Sequence, residues 1–182
     1  MSDLAQKLID AGLIQFGWFG EVPFTLHLDM LASYPDVLTQ VVDEAQTVFG
    51  TAQATRLLCT ADAIPFGVAH SLRSGIPLVY SRGSTDAPVF DLVGAYDIDH
   101  PTLLLTNSLG DKATLTPLIA GARRVGLEVH TLIPILEARD QLQADRLTVL
   151  PLLRLADVVR DLTDQQQLRA NHAQAVLDWI NS

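Results

Sequence analysis

This sequence predicts an α/β fold, a parallel sheet flanked by helices, and two observations carry that prediction. Short apolar runs of strand length alternate with segments of helical period along the chain. Within that alternation, Pro101 to Gly126 reads as a buried strand, a short polar loop and an amphipathic helix. Thr102 to Leu105 is apolar without alternation, the mark of a strand buried on both faces by crossover helices.

The elements follow in order. Residues 3–12 carry Leu4, Leu8 and Ile9 at helical spacing, and Gly12 closes the pattern. Residues 13–31 have strand or hairpin character, with aromatics and the glycines Gly17 and Gly20. Residues 35–49 predict a strong helix: Pro35 starts it, Val37, Leu38, Val41, Val42, Ala45 and Val48 line one face, and Gly50 ends it. A strand over 56–60, a helix near 65–74 closed by Gly75 and a strand over 77–81 follow. Residues 82–88 read as a loop and 89–95 as a further short strand.

The strand over 102–106 comes next, with Asn107, Ser108, Gly110, Asp111 and Lys112 as the turn. Thr114 is the expected N-cap of a helix over 114–125, Pro117 suits its first turn, and Gly126 its C′ position. Beyond lie a strand over 127–135, a turn or short helix near 137–144, a brief strand near 147–150, and helices near 153–162 and 164–180. There is no internal repeat, low-complexity tract or long linker, so residues 1–182 are read as one domain.

Composition bounds the function. With 48% hydrophobic and 18% charged residues in 182, the chain can build a real core. Its net charge of −9 argues against a general nucleic-acid or anionic-membrane surface, which needs clustered basic residues. A local anion site is still compatible with that charge. No apolar run reaches the ~18 residues a membrane span needs, and the opening MSDLAQKLID reads as an amphipathic helix instead of a signal peptide. The single Cys59, within RLLCT, reads as a core thiol. A cytoplasmic protein is expected.

Four stretches carry a resemblance to a known family: LIDAGLIQFGWF, SGIPLVYSR, LVGAYDIDHPTLLLTN and LTVLPLLRLADVVRDL. Their order and spacing resemble the type I phosphoribosyltransferase fold and, within it, the orotate phosphoribosyltransferase group, over roughly residues 3 to 163. The resemblance implies a small N-terminal hood, formed largely by about residues 1–32. It also implies a site for phosphoribosyl pyrophosphate, with Mg²⁺ required if that compound binds. In such a site an acid pair holds the ribose hydroxyls, and a following turn wraps the 5′-phosphate with backbone N–H groups.

Carried onto this sequence, the acid-pair positions are Thr106 and Asn107, which are neutral. The phosphate turn is Ser108, Leu109, Gly110, Asp111, Lys112, Ala113 and Thr114. Lys112 would meet a phosphate as a point charge, and Asp111 would repel one. Arg82 stands where the family's pyrophosphate-holding arginine ends its strand. The expected ligand-binding residues are therefore Arg82, Thr106, Asn107, Ser108, Gly110, Lys112 and Thr114, with no catalytic and no metal-ligating residue assigned.

Four departures weaken the implied chemistry. The acid pair is gone. The pyrophosphate loop, Thr60 to Pro65, holds no glycine and adds Asp62. The stretch after Arg82 is short and holds no Lys or His, where the family has a long mobile loop. The hood segment Gly20, Glu21, Val22, Pro23 lacks the family's lysine. Transfer needs cations around the leaving pyrophosphate, so weak or lost transferase activity is expected, with a cleft retained for a phosphorylated ribose or a nucleotide. The alternative is an active phosphoribosyltransferase using phosphoribosyl pyrophosphate and a pyrimidine-type base.

Plainer roles stay open for the same residues. Thr106, Asn107 and Ser108 also suit a loop that satisfies strand-end backbone groups. Asp111 to Thr114 also suit a simple helix opening. Arg82 also suits a surface pair with Asp86 or Asp91, and Arg123 and Arg124 compensate a helix C-terminus. The five histidines have no metal-site spacing and read as surface or partly buried. Asp97, Asp99 and His100 read as a solvated turn, with cation binding the lesser reading. Trp18 and Phe19 read as core or dimer packing, with a pocket under the hood as the alternative. The apolar share and this pair suggest a homodimer.

Overall fold

The computed structural model describes residues 1–50, 53–83, 91–109, 112–139 and 147–182, with 112–114 by their backbone alone. Helix α1 (Asp3–Asp10) is capped by Ser2, whose Oγ accepts the Ala5 amide at 3.2 Å, and it buries Leu4, Ala5 and Leu8. Strands β1 (Ile14–Phe19) and β2 (Val22–Leu26) pair as an antiparallel hairpin. A 3₁₀ stretch, Leu28–Ser33, leads into α2 (Pro35–Phe49), which begins on proline and ends at Gly50.

Strand β3 (Arg56–Cys59), helix α3 (Ile64–Ser74) and strand β4 (Leu78–Ser81) form the first βαβ unit, with β3 and β4 parallel. Strand β5 (Leu92–Val93) returns antiparallel along β4. Strand β6 (His100–Leu109), helix α4 (Lys112–Arg124) and strand β7 (Leu127–Glu137) form the second parallel unit. Two short strands, β8 (Thr148–Val149) and β9 (Leu153–Arg154), both pair parallel with β7. Helices α5 (Leu155–Asp164) and α6 (Ala170–Asn181) close the chain.

The seven-stranded sheet runs β5-β4-β3-β6-β7-β8, with β9 also on β7. It is parallel except at β5, as the alternating pattern predicted. Successive leucines of β6 serve opposite faces. Leu103 and Leu105 join the core built with α1, α2, α5 and α6, and Leu104 joins the core beneath α4. Both cores need tight contact with the sheet. Gly67 of α3 lies so near β3 that an added Cβ would sit 2.7 Å from the Cys59 sulfur. Among the described residues no helix is long and apolar enough to cross a membrane.

The boundaries differ from the sequence reading in several places, among them Leu153–Arg154, which is a strand where the helix over 153–162 was expected to begin. The strand expected over 102–106 extends to Leu109, because Ser108 and Leu109 keep pairing with Leu136 and Glu137 of β7. Asn107 and Ser108 are therefore strand residues and not part of a turn. Helix α4 then begins at Lys112, so Thr114 lies in its first turn and is not its N-cap. Pro117 falls inside the helix, where it removes one i→i−4 bond. Finally, α6 starts at Ala170 and not near 164; amides of Gln165, Gln166 and Gln167 fold back onto the end of α5. Of the element read near 137–144, Glu137 belongs to β7, and residues 140–146 lie outside those described.

Candidate functional site

The sheet order locates the natural cleft. From β3 the chain crosses to β4 on one side; from β6 it crosses to β7 on the other. Connections leaving a parallel sheet in opposite directions open a crevice outside the carboxyl ends of the two strands at the reversal, here β3 and β6. Thr60 follows β3, and Thr106 to Leu109 end β6, so the sequence-predicted residues of β6 stand at this crevice.

Their side chains are turned toward the protein. The Thr60 hydroxyl donates to Thr106 Oγ at 3.2 Å, and the Thr60 amide reaches the Leu105 carbonyl at 3.3 Å. Thr106 Oγ lies 3.4 Å from the Ser108 carbonyl. Asn107 donates from Nδ2 to the Asp62 carbonyl at 2.7 Å, while its buried Oδ1 meets no partner among the described residues. Thr106 and Asn107 are each only 3% exposed. Ser108 is half-buried and nearer the surface. Thr60 and Asp62 are contributions that the sequence reading did not assign. Their contacts join residues some 45 positions apart, and local pattern gives no sign of them.

The Thr60–Pro65 segment is a compact turn. Ala61–Ala63 is 3₁₀, the Ala63 amide donates to the Thr60 carbonyl at 3.1 Å, and Pro65 sits in the first turn of α3. The Asp62 side chain is exposed. Just beneath, Cys59 is fully buried, and burial, aided by the Asp62 charge, pushes its thiol up to about 12. It is an inert core thiol.

Arg82 follows β4, exposed, and among the described residues it is in no ion pair. Asp91 is not the surface partner considered for it. Its carboxylate is buried and accepts from Ser81 Oγ at 2.5 Å and from the Gly83 amide at 2.8 Å, while the Arg82 amide donates to the Asp91 carbonyl at 3.1 Å. Asp91 thus holds the Ser81 hydroxyl and the backbone amides of Arg82 and Gly83. Asp86 lies outside the described residues, as do Gly110 and Asp111 and the side chains of Lys112 and Thr114. The entry to the loop is nonetheless fixed, since Ala138 and Arg139 both donate amides to the Leu109 carbonyl, at 3.1 and 3.2 Å.

Other candidates fall away from the crevice. Asp97 and Asp99 precede the opposite end of β6, about 25 Å from Asn107 at ~3.3 Å per residue, so neither replaces the missing acids. His100 bonds Thr55 through Nδ1 at 3.0 Å. His70 is not a surface residue: it is 1% exposed on α3, and burial holds its imidazole below the usual range. Arg123 donates to the Val129 carbonyl at the far end of α4. Trp18 and Phe19 are 66% and 45% exposed, so neither is core; Trp18 meets His172 edge-on at 5.8 Å.

A β5-β4-β3-β6-β7 sheet with an N-terminal hairpin packed against α6 fits the fold the resemblance implied, and comparison with solved structures decides it. The chain aligns with Leishmania donovani UMP synthase at a TM-score of 0.81 and 19% identity, over 98% of this chain and 42% of that one. Francisella tularensis orotate phosphoribosyltransferase aligns at 0.72 and 12%, over 98% of this chain and 97% of that one. The chain has the type I phosphoribosyltransferase fold. Mycobacterium tuberculosis orotate phosphoribosyltransferase, solved with 5-phospho-α-D-ribosyl 1-diphosphate, aligns at 0.70 and 13%, over 86% of this chain and 99% of that one. The chain spans less than half the length of the UMP synthase it resembles. No protein-family model and no curated protein matches its sequence.

The donors at the crevice do not fit Mg²⁺. That ion takes carboxylate and phosphate oxygens in strict octahedral geometry, whereas Thr106 offers a hydroxyl already bonded within the protein and Asn107 a single uncharged oxygen, Oδ1. Among the described residues no group of three or more His, Cys, Asp or Glu is placed to hold a metal.

Proposed function

We propose that this chain is an orotate phosphoribosyltransferase-like protein whose crevice receives a phosphorylated ribose or a nucleotide, with transferase activity weak or lost. The observation that carries this reading is the state of Thr106 and Asn107. They stand where the resemblance puts the ribose-binding acids, yet they are neutral, buried and bonded to Thr60 and Asp62. A pyrophosphate leaving group needs positioned cations, and among the described side chains this side of the crevice offers none.

What supports a retained ligand is the entrance. Arg82 is exposed and its neighbour Gly83 is held by Asp91, and α4 begins at Lys112, so its first-turn amides would be available to an anion bound ahead of the helix. The expected anion contacts are Arg82, Ser108, Gly110, Lys112 and Thr114. Calorimetry tests the reading, with phosphoribosyl pyrophosphate plus Mg²⁺, ribose 5-phosphate and orotidine monophosphate as titrants. Binding of the monophosphates without turnover of orotate supports it. Turnover would establish the alternative, an active phosphoribosyltransferase acting on a pyrimidine-type base; no binding at all would reject a ligand site in the crevice.

A further inference from the structure

We propose that Arg139 is a positioning residue: through it the last turn of α6 sets the entrance to the loop after Leu109, the loop proposed to contact phosphate. The main chain gives the first half of the link. The carbonyl of Leu109, where β6 ends, accepts both the Ala138 and the Arg139 amides, at 3.1 and 3.2 Å. The side chain gives the second half. Arg139 Nη2 donates to the Trp179 carbonyl at 2.6 Å and to Ser182 Oγ at 3.0 Å. The guanidinium also lies over the Trp179 ring, its carbon 3.7 Å from the ring centre. One residue thus bonds the loop entrance with its backbone and the end of a helix 40 positions away with its side chain.

The contact depends on shape as much as on charge. Among the described residues no carboxylate pairs with Arg139, and its Nε is buried without a partner. Ring stacking and two bonds on one helix end fix the plane of the guanidinium instead. Lysine would keep the charge and lose both the planar fork and the stack. Trp179 is held in turn by the N-terminal hairpin. Phe24 of β2 meets it edge-on at 4.8 Å, and His172, about two turns earlier on α6, meets the Pro23 carbonyl through Nε2 at 2.7 Å. Helix α6 therefore carries the position of the hairpin to the end of β7 and on to Leu109. By linkage, a ligand that needs this arrangement of the entrance binds less tightly once α6 lets go; that consequence alone rests on the reading of the loop as a phosphate contact.

Amide hydrogen exchange, resolved by residue with NMR, tests the link on the unliganded chain, and titration with ribose 5-phosphate tests its consequence. Trp179→Leu and Arg139→Lys should each speed exchange of the amides at positions 138 and 139 by at least about tenfold. Amides of β3 and of the middle of β6 should stay as protected as in the unmodified chain, which a general loss of stability would not allow. Trp179→Phe, which keeps a ring face, should return most of the protection. Ribose 5-phosphate should bind several-fold more weakly to Trp179→Leu and to Arg139→Lys alike, although only the second touches the cation. Faster exchange confined to α6, an equal rise throughout β3 and β6, or an Arg139→Lys variant indistinguishable from the unmodified chain would each overturn the proposal. If the unmodified chain binds no ribose 5-phosphate, the ligand reading falls, and a tenfold rise at 138 and 139 would still uphold the link.

Discussion

Asn107 at the end of β6 donates its side-chain amide to the main-chain carbonyl of Asp62 at 2.7 Å. This one bond ties the strand that leads into the candidate ligand loop to the turn that follows β3. It also fixes what each half of the Asn107 amide can do. The nitrogen is committed inward, and among the described residues Oδ1 has no partner.

Restoring the acids should therefore cost stability without giving activity. Asn107→Asp replaces a donor by a carboxylate that faces a carbonyl oxygen, in a site 3% exposed. Losing that bond and burying an unpaired group costs about 1–3 kcal/mol, or roughly 2–4 °C of melting temperature per kcal/mol at this chain length. Thr106→Asp with Asn107→Asp should melt lower still and show no orotate turnover. Thermal denaturation and a coupled transferase assay check both halves. Appreciable turnover would mean that the crevice lacks only its acids.

Phosphate affinity should depend on which end of α4 is altered. Lys112 is the first residue of the helix and Arg124 the last, twelve steps apart and so about 18 Å along the axis. Lys112→Ala should weaken ribose 5-phosphate binding by several-fold, and Arg124→Ala should leave it unchanged. Equal effects in calorimetry would remove the loop after Leu109 from the site.

His70 should make the fold acid-sensitive. Burial lowers its folded-state affinity for protons below that of the unfolded chain, which protonates near 6.5. As pH falls through that value, the unfolded state gains the proton first, and stability drops until the folded-state value is reached. Urea unfolding at a series of pH values below neutrality should show this slope, and His70→Leu should flatten it. An unaltered slope would assign the acid sensitivity to the carboxylates.

The contact of Gly67 with Cys59 should be tight enough to measure. A methyl at position 67 would meet the sulfur at 2.7 Å, so Gly67→Ala should destabilise by about 1–3 kcal/mol. Cys59→Ala should recover part of that loss in the double variant, although Leu78 at 3.1 Å remains. Full additivity of the two changes would show that helix and strand separate freely. In the unmodified protein Cys59 should resist alkylation until the chain is unfolded.

Much of the fold was legible from local pattern. The helices α1, α2 and α3, the hairpin and the central strands carry their period, their prolines and their closing glycines in consecutive residues, which is why a sequence can announce them. Gly126 is a good example. It was read as a helix-ending residue, and it holds φ +90° with the Ile98 backbone so close that no Cβ would fit. The end of β6 lies beyond the sequence reading because Asn107 and Ser108 suit a turn locally, whereas ladder pairing of Ser108 and Leu109 with Leu136 and Glu137 keeps the chain extended. Pairing energy from a distant strand outweighed local preference.

The candidate site divides along the same line. By itself the sequence determined that the acids are absent, that Thr106 and Asn107 replace them, and that the glycines and the long loop are gone. These are facts of composition at given positions. Only the tertiary structure decided that Thr106 and Asn107 are sealed against Thr60 and Asp62, that Asp91 grips the backbone around Arg82, and that Asp97 and Asp99 lie at the wrong end of the strand. Each of those depends on groups many residues apart meeting in space, and the strand order that brings them together is set by the burial of two cores, which no short stretch of sequence encodes.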